Sequence, residues 1–66
     1  REDAARVRRL ADGLPEPYRE VLQLRIFGEL SYKQIGELFG KTENWACVTG
    51  CRARKMLRER WEAEEA

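Results

Sequence analysis

The sequence predicts an all-α fold, a small four-helix domain that contains a helix-turn-helix and no wing. Two observations carry that expectation. Apolar side chains recur at helical spacing along the whole chain, and nowhere do they alternate with polar ones as in a half-buried strand. The stretch from Ser31 to Trp45, SYKQIGELFGKTENW, also holds two helix starts in close succession. Ser31 with Gln34 has the capping-box pattern, and Thr42 is a second good N-cap residue. Gly40 between them is the residue with which a helix stops in a left-handed turn. At 66 residues the chain is expected to be one domain, residues 1–66, close to the smallest size at which a single core suffices.

The first segment, roughly Asp3 to Ala11, places Val7 and Leu10 three apart among arginines and acids and stops near Asp12-Gly13. LPEPYREVLQLRIFGEL starts the second helix. Pro15 and Pro17 suit its first turn, where a missing N–H costs nothing, and Glu16 and Glu20 complement the helix dipole. Tyr18, Val21, Leu22 and Arg25 share a face with Leu24 and Phe27 beside it, and Gly28 closes the helix. The third helix runs from the Ser31 cap to about Phe39, with Ile35, Leu38 and Phe39 as its apolar stripe. Gly36 inside it costs about 1 kcal/mol relative to alanine, which points to close approach of another helix. The fourth helix starts at Thr42 and runs to about Glu62, with Ala46, Thr49, Ala53 and Leu57 on its inner face and Met56 and Trp61 extending it. Small residues near its start and larger ones further on predict a tight crossing followed by ordinary packing. The acidic tail is expected to fray.

The net charge of +1 conceals an uneven distribution. Residues 1–40 hold seven basic and seven acidic side chains. Residues 41–60 hold Lys41, Arg52, Arg54, Lys55, Arg58 and Arg60 against Glu43 and Glu59, a net of +4, and the tail from Trp61 carries −3. A basic stripe on one element is the electrostatic footprint of nucleic-acid binding, and it is equally the pattern of a solvated helix face.

Other classes of function find little to work with. No apolar run approaches the ~20 residues that span a bilayer, and no segment resembles a cleaved signal peptide, so no membrane partner is expected. The chain begins at Arg1 inside a helix-like charged segment and reads as a fragment of a longer protein. Two cysteines and no histidine fall short of the four ligands of a structural zinc, so no metal and no cofactor is expected. Cys47 and Cys51, four residues apart, share a helical face, a poor geometry for a disulfide, and read as two unpaired thiols in a reducing cytoplasm, with a redox or thiol-metal switch inside the reading helix as the alternative. With no histidine, no glycine-rich phosphate loop and little volume for a substrate cleft, the chain reads as a non-enzyme.

A short helix, a glycine turn and a longer helix, crossing at small residues, is the helix-turn-helix plan. Here it spans residues 31–61, with a recognition helix from about 42. On DNA the first helix braces against the backbone and the second sets its N-terminal residues on base edges in the major groove. The residues there that the core does not need are Glu43, Asn44, Cys47, Val48 and Cys51. Arg52, Arg54 and Lys55 follow and suit phosphates or groove edges. Lys33 and Lys41, with the N–H groups at the two caps, are further phosphate candidates. The Asn44 amide matches the adenine N6/N7 edge and also suits a plain surface position. Glu43 can accept from cytosine N4, and an acid there stabilises the helix start in any case. Trp45 is read as a core or edge packer.

LPEPYREVLQLRIFGELSYKQIGELFGKTENW, followed by CRARKMLRE, closely resembles the C-terminal promoter-recognition domain, region 4, of bacterial sigma-70 family sigma factors. It looks most like the compact extracytoplasmic-function group. The matching features are Leu14-Pro15-Glu16, the Arg19 to Phe27 helix, Gly28-Glu29-Leu30-Ser31-Tyr32, Ile35, Gly40, and Arg52-Ala53-Arg54 through Leu57. The resemblance implies a sigma region 4-like domain of the bacterial cytoplasm. It would read the upstream (−35) promoter element, dock on the flap of the RNA polymerase β subunit and be masked by an anti-sigma factor. It places base-reading positions at Glu43, Asn44, Cys47, Val48, Cys51 and Arg52, and phosphate contacts around Lys33, Lys41, Thr42, Arg54 and Lys55. The flap contact falls on apolar residues of the second and fourth helices.

Two departures stand out. Many relatives carry Arg or Lys where this chain has Cys47, which forfeits a bidentate contact with guanine worth about 1–3 kcal/mol of discrimination. Gly50 replaces a larger side chain and interrupts the recognition helix at a cost of about 1 kcal/mol. They keep open an alternative, a protein-interaction helix-turn-helix that binds an anti-sigma factor or polymerase with little DNA binding of its own.

Overall fold

A computed structural model describes residues 2–65, which form four helices and, among the described residues, no strand. They are α1 (Glu2–Asp12), α2 (Tyr18–Ile26), α3 (Tyr32–Leu38) and α4 (Glu43–Glu65).

The two prolines precede α2 instead of lying in its first turn. Pro17 is the N-cap, and the carbonyls of Pro15 and Pro17 accept from the Arg19 and Val21 N–H groups at 3.1 Å each. A residue before proline is pushed out of the helical region, so Glu16 cannot extend the helix backwards. Its carboxylate caps the helix from outside, accepting from the Glu20 N–H at 3.2 Å and pairing with Arg19. At the other end, the Gly28 N–H donates to the Gln23 carbonyl at 3.1 Å, but the residue in the left-handed region is Glu29, with φ 56°. Gly28 is needed for space. A Cβ there would lie 2.8 Å from the Leu24 carbonyl oxygen.

The break and restart between α3 and α4 follows local rules. Ser31 Oγ accepts from the Gln34 N–H at 3.1 Å and Gln34 Oε1 accepts from the Ser31 N–H at 2.9 Å, a capping box whose loss typically costs about 1 kcal/mol. Gly40, with φ 66°, turns the chain out of α3, and the Lys41 N–H donates back to the Gly36 carbonyl at 2.7 Å. Thr42 Oγ1 then caps α4 by accepting from the Trp45 N–H at 3.0 Å.

The core has two parts joined by α2 and α4. Ala11, Leu14, Leu22 and Ala53 form one, with Tyr18, Met56 and Leu57 packed against them. Val21, Ile35 and Ala46 form the other, flanked by Leu24, Leu30, Tyr32, Phe39 and Trp45. Thr49 lies between them and is also buried. Gly36 does meet a close approach, from the backbone of Lys41 and Thr42 instead of another helix body. Leu38 does not join the stripe, being 66% exposed. Ile35 occupies the side that faces the core, and the chain turns away at Gly40 before any element can cover Leu38. With Leu30, Gln34 and Glu37 it lines an open surface hollow.

The acidic tail is helical through Glu65 and docked on α1. Glu64 accepts from Arg6 Nε at 3.0 Å and from the two Arg9 terminal nitrogens at 2.8 and 3.1 Å. The Arg6 guanidinium lies 3.8 Å from the centre of the Trp61 ring and donates to the Trp61 carbonyl at 3.0 Å. The tail has partners because α1 brings arginines alongside the end of α4, which a local reading of the tail does not contain.

The hydrogen bond from Arg9, aided by both guanidinium charges, holds the Glu64 carboxyl below its ordinary pKa of 4.5. A depressed carboxylate contributes stability above its unfolded pKa and loses it as pH falls through the lower folded value. The α1 amides are therefore expected to show an NMR-detected step below pH 4.5 that Glu64→Gln abolishes.

Candidate nucleic-acid interface

α4 buries Ala46, Thr49, Gly50 and Ala53 against the body of the domain. The helical repeat then sends Asn44, Val48, Cys51 and Lys55 to the opposite side, with Glu43, Cys47 and Arg54 along one flank and Arg52 along the other. All of these are exposed except Cys47, which is half-buried. Lys33, Lys41 and Thr42 are exposed at the start of α3 and at the turn into α4. All eleven residues selected from the sequence therefore lie at the surface or its edge, on α4 and the two helix starts beside it.

The cations of the domain are sorted into two populations. Arg6 and Arg9 are paired with the tail and Arg19 with Glu16. The Arg8 and Arg25 guanidinium groups lie over the Phe27 and Tyr32 rings at 4.1 and 5.0 Å. Arg60 donates to the Gly13 carbonyl at 2.7 Å, whereas Lys33, Arg52, Arg54, Lys55 and Arg58 have neither an ion pair nor a ring contact among the described residues, and Lys41 has only a distant ring contact. Positive charge without a carboxylate partner is thus frequent on the exposed side of α4 and at the turn before it, while in α1 the charges of Arg6 and Arg9 are paired and that of Arg8 lies over a ring. Sequence charge-counting locates the basic run but cannot show which arginines already have partners.

Trp45 is the packer expected of it, half-buried with its ring 5.2 Å from that of Phe39 and tilted by 44°. Lys41 Nζ lies 6.0 Å from the Trp45 ring, which leaves its charge near the N-terminus of α4. Glu43 sits in the first turn of α4, where its charge complements the helix dipole. Partial burial pushes the Cys47 thiol up, as do Cys51 and Glu43, against a smaller opposing pull from Arg54. It is not the low-pKa setting that a reactive thiolate needs.

A family model described as sigma-70, region 4 matches residues 4–57. The chain belongs to the sigma-70 region 4 family. No curated protein and no solved structure matches it. Region 4 domains are non-enzymatic parts of transcription factors, and in this family they contact −35 promoter DNA and RNA polymerase. The match takes in α2 and α3 whole, with most of α1 and α4 up to Leu57, and ends before the Trp61–Glu65 segment that clamps α1. No helix among the described residues is long and apolar enough to cross a membrane.

One of the two departures within this region 4 domain acquires a structural reason. Gly50 is buried under the Tyr32 ring, and a Cβ there would lie 2.7 Å from Tyr32 Cε1 and 3.1 Å from Tyr32 Oη. The glycine is therefore a seat for the first residue of α3, and its cost in helix propensity is tied to that contact. The Arg25 guanidinium lies 5.0 Å from the centre of the same ring and donates to the Leu30 carbonyl at 3.5 Å. The large aromatic directly after the Ser31 cap was the available signal, but its seat lies far along the chain. Gly50→Ala is expected to lower stability by about 1–2 kcal/mol despite the gain in propensity. In a Tyr32→Ala background the same change should become stabilising by up to about 1 kcal/mol. Urea unfolding of the four proteins measures both signs in one cycle.

Proposed function

We propose that this region 4 domain recognises the −35 promoter element by seating α4 in the major groove, and docks on RNA polymerase to direct transcription initiation. The observation that carries the proposal is the concentration of unpaired cations on the exposed side of α4, around the polar start of that helix. Residues 31–61 act as the helix-turn-helix, with α4 as the recognition helix. Glu43, Asn44, Cys47, Val48, Cys51 and Arg52 face base edges. Lys33, Lys41, Arg54 and Lys55, with Thr42 at the α4 cap, hold phosphates. Docking on the polymerase flap is supported by Ile26, a large apolar residue at the end of α2 that is 39% exposed. The domain serves a factor of the extracytoplasmic-function type in the bacterial cytoplasm, with an anti-sigma factor as a further partner.

The test is a fluorescence titration of a promoter-like duplex at two salt concentrations, with Arg52→Ala and Arg54→Ala beside the parent. Affinity should fall steeply with salt. Arg54→Ala should flatten the log–log slope by about 0.9, the signature of one phosphate lost. Arg52→Ala should change the sequence preference by about 1–3 kcal/mol at one base pair. Binding that is absent or insensitive to salt, with the fold intact by circular dichroism, would hand the function to the protein-interaction alternative. A pull-down with the polymerase flap would then be the deciding assay.

A further inference from the structure

α4 carries two thiols whose chemistry base reading does not use. Cys47 is half-buried and Cys51 exposed, and neither is in a disulfide. They lie four apart in a helix that runs unbroken from Glu43 to Glu65, so their Cβ atoms are fixed about 5–6 Å apart on one face. A disulfide needs its Cβ atoms about 3.5–4.5 Å apart, closer than this helix holds them. An ion set between the two sulfurs needs no such approach.

The donor set narrows the choice of ion. The chain has no histidine, and among the described residues no group of three or more His, Cys, Asp or Glu could hold a metal. Zinc, which takes four ligands, is therefore poorly served. Two thiolates are soft donors, and the soft ion content with two ligands is Cu(I). We propose that Cys47 and Cys51 form a two-thiolate site on α4 for a soft, two-coordinate cation of the Cu(I) class.

Binding breaks two S–H bonds, releases two protons to solvent and makes two Cu–S bonds. Copper stays Cu(I) and no electron moves. The site passes from neutral to one net negative charge, which Arg54 and Lys55, three and four residues after Cys51, stabilise. The consequence rests on the reading of α4 as the helix that meets DNA. A filled site sets an anion on the groove face and engages cations that otherwise meet phosphates, so loading weakens duplex binding.

The test is an anaerobic titration of the 66-residue chain with Cu(I) buffered by bathocuproine disulfonate, beside Cys47→Ser and Cys51→Ser. One cation per monomeric chain is expected, withdrawn from the chelator by the parent and by neither variant. Duplex affinity of the parent should then fall roughly tenfold on loading, while that of each variant does not respond to Cu(I). No withdrawal of copper from the chelator, equal binding by a single-thiol variant, or one cation shared between two chains each overturns the site. Unchanged affinity of a loaded chain that binds duplex when metal-free overturns its effect on DNA. A metal-free chain that binds no duplex overturns the promoter reading instead, and the titration still decides the site.

Discussion

Gly36→Val is expected to destabilise the domain by about 3 kcal/mol and to abolish duplex binding with it. A Cβ at this position would lie 2.6 Å from the Thr42 carbonyl oxygen, 2.8 Å from its carbonyl carbon and 3.1 Å from the Lys41 carbonyl oxygen. All three are backbone atoms, and they are held. The Thr42 carbonyl accepts from the Ala46 N–H at 3.2 Å, and the Lys41 N–H is bound to the carbonyl of Gly36 itself at 2.7 Å. Moving them apart breaks the stop of α3 and the start of α4 together. Valine is a better helix former than glycine by only a few tenths of a kcal/mol, so sterics decide the sign. A domain of this size has roughly 3–10 kcal/mol of stability in total, so the loss should be plain in urea unfolding followed by circular dichroism. A variant as stable as the parent would mean that the α3–α4 crossing can open freely, and α4 would then lack the fixed seat that groove recognition requires.

What the sequence makes legible is whatever is written within a few residues. The capping box at Ser31, the left-handed Gly40 and the Thr42 cap are each local, and the structure has all three. Buried Val21, Leu22, Ile35, Ala46 and Ala53 follow from periodicity, because the repeat of a helix dictates which side faces inward. Periodicity does not say how far the covering element reaches, and so it puts Leu38 in a stripe that nothing covers. Gly50 looked like a flaw in a helix because its partner, Tyr32, approaches from a different element. The tail looked loose because the arginines that hold it belong to α1. The candidate interface shows the same division. Its residues are legible as those the core does not need, whereas the pairing of Arg6 and Arg9 with the tail, which removes two α1 cations from the free surface, is a tertiary fact.

Cys47→Arg is expected to tighten binding to a duplex with guanine at the facing base pair roughly tenfold, and to leave duplexes lacking that guanine much less affected. The position stands at the start of α4 beside exposed Asn44, Val48 and Cys51. Because Cys47 is half-buried, the aliphatic stem of the longer side chain can lie along the helix while its guanidinium reaches outward. Glu43, one turn earlier, competes for the new charge, but such exposed pairs are worth only about 0.3–0.5 kcal/mol against about 1–3 kcal/mol for a bidentate guanine contact. The two kinds of DNA contact separate in the same experiment. A base contact changes which sequences bind, whereas a phosphate contact raises affinity for every duplex and steepens the log–log salt dependence by about 0.9. Measured on duplexes varied one base pair at a time, a gain confined to one guanine fixes the register of α4 in the groove. A uniform gain with a steeper slope moves position 47 to the groove edge. No gain on any duplex means that this turn of α4 does not enter the groove, and the base-reading assignments of Glu43, Asn44 and Val48 fall with it.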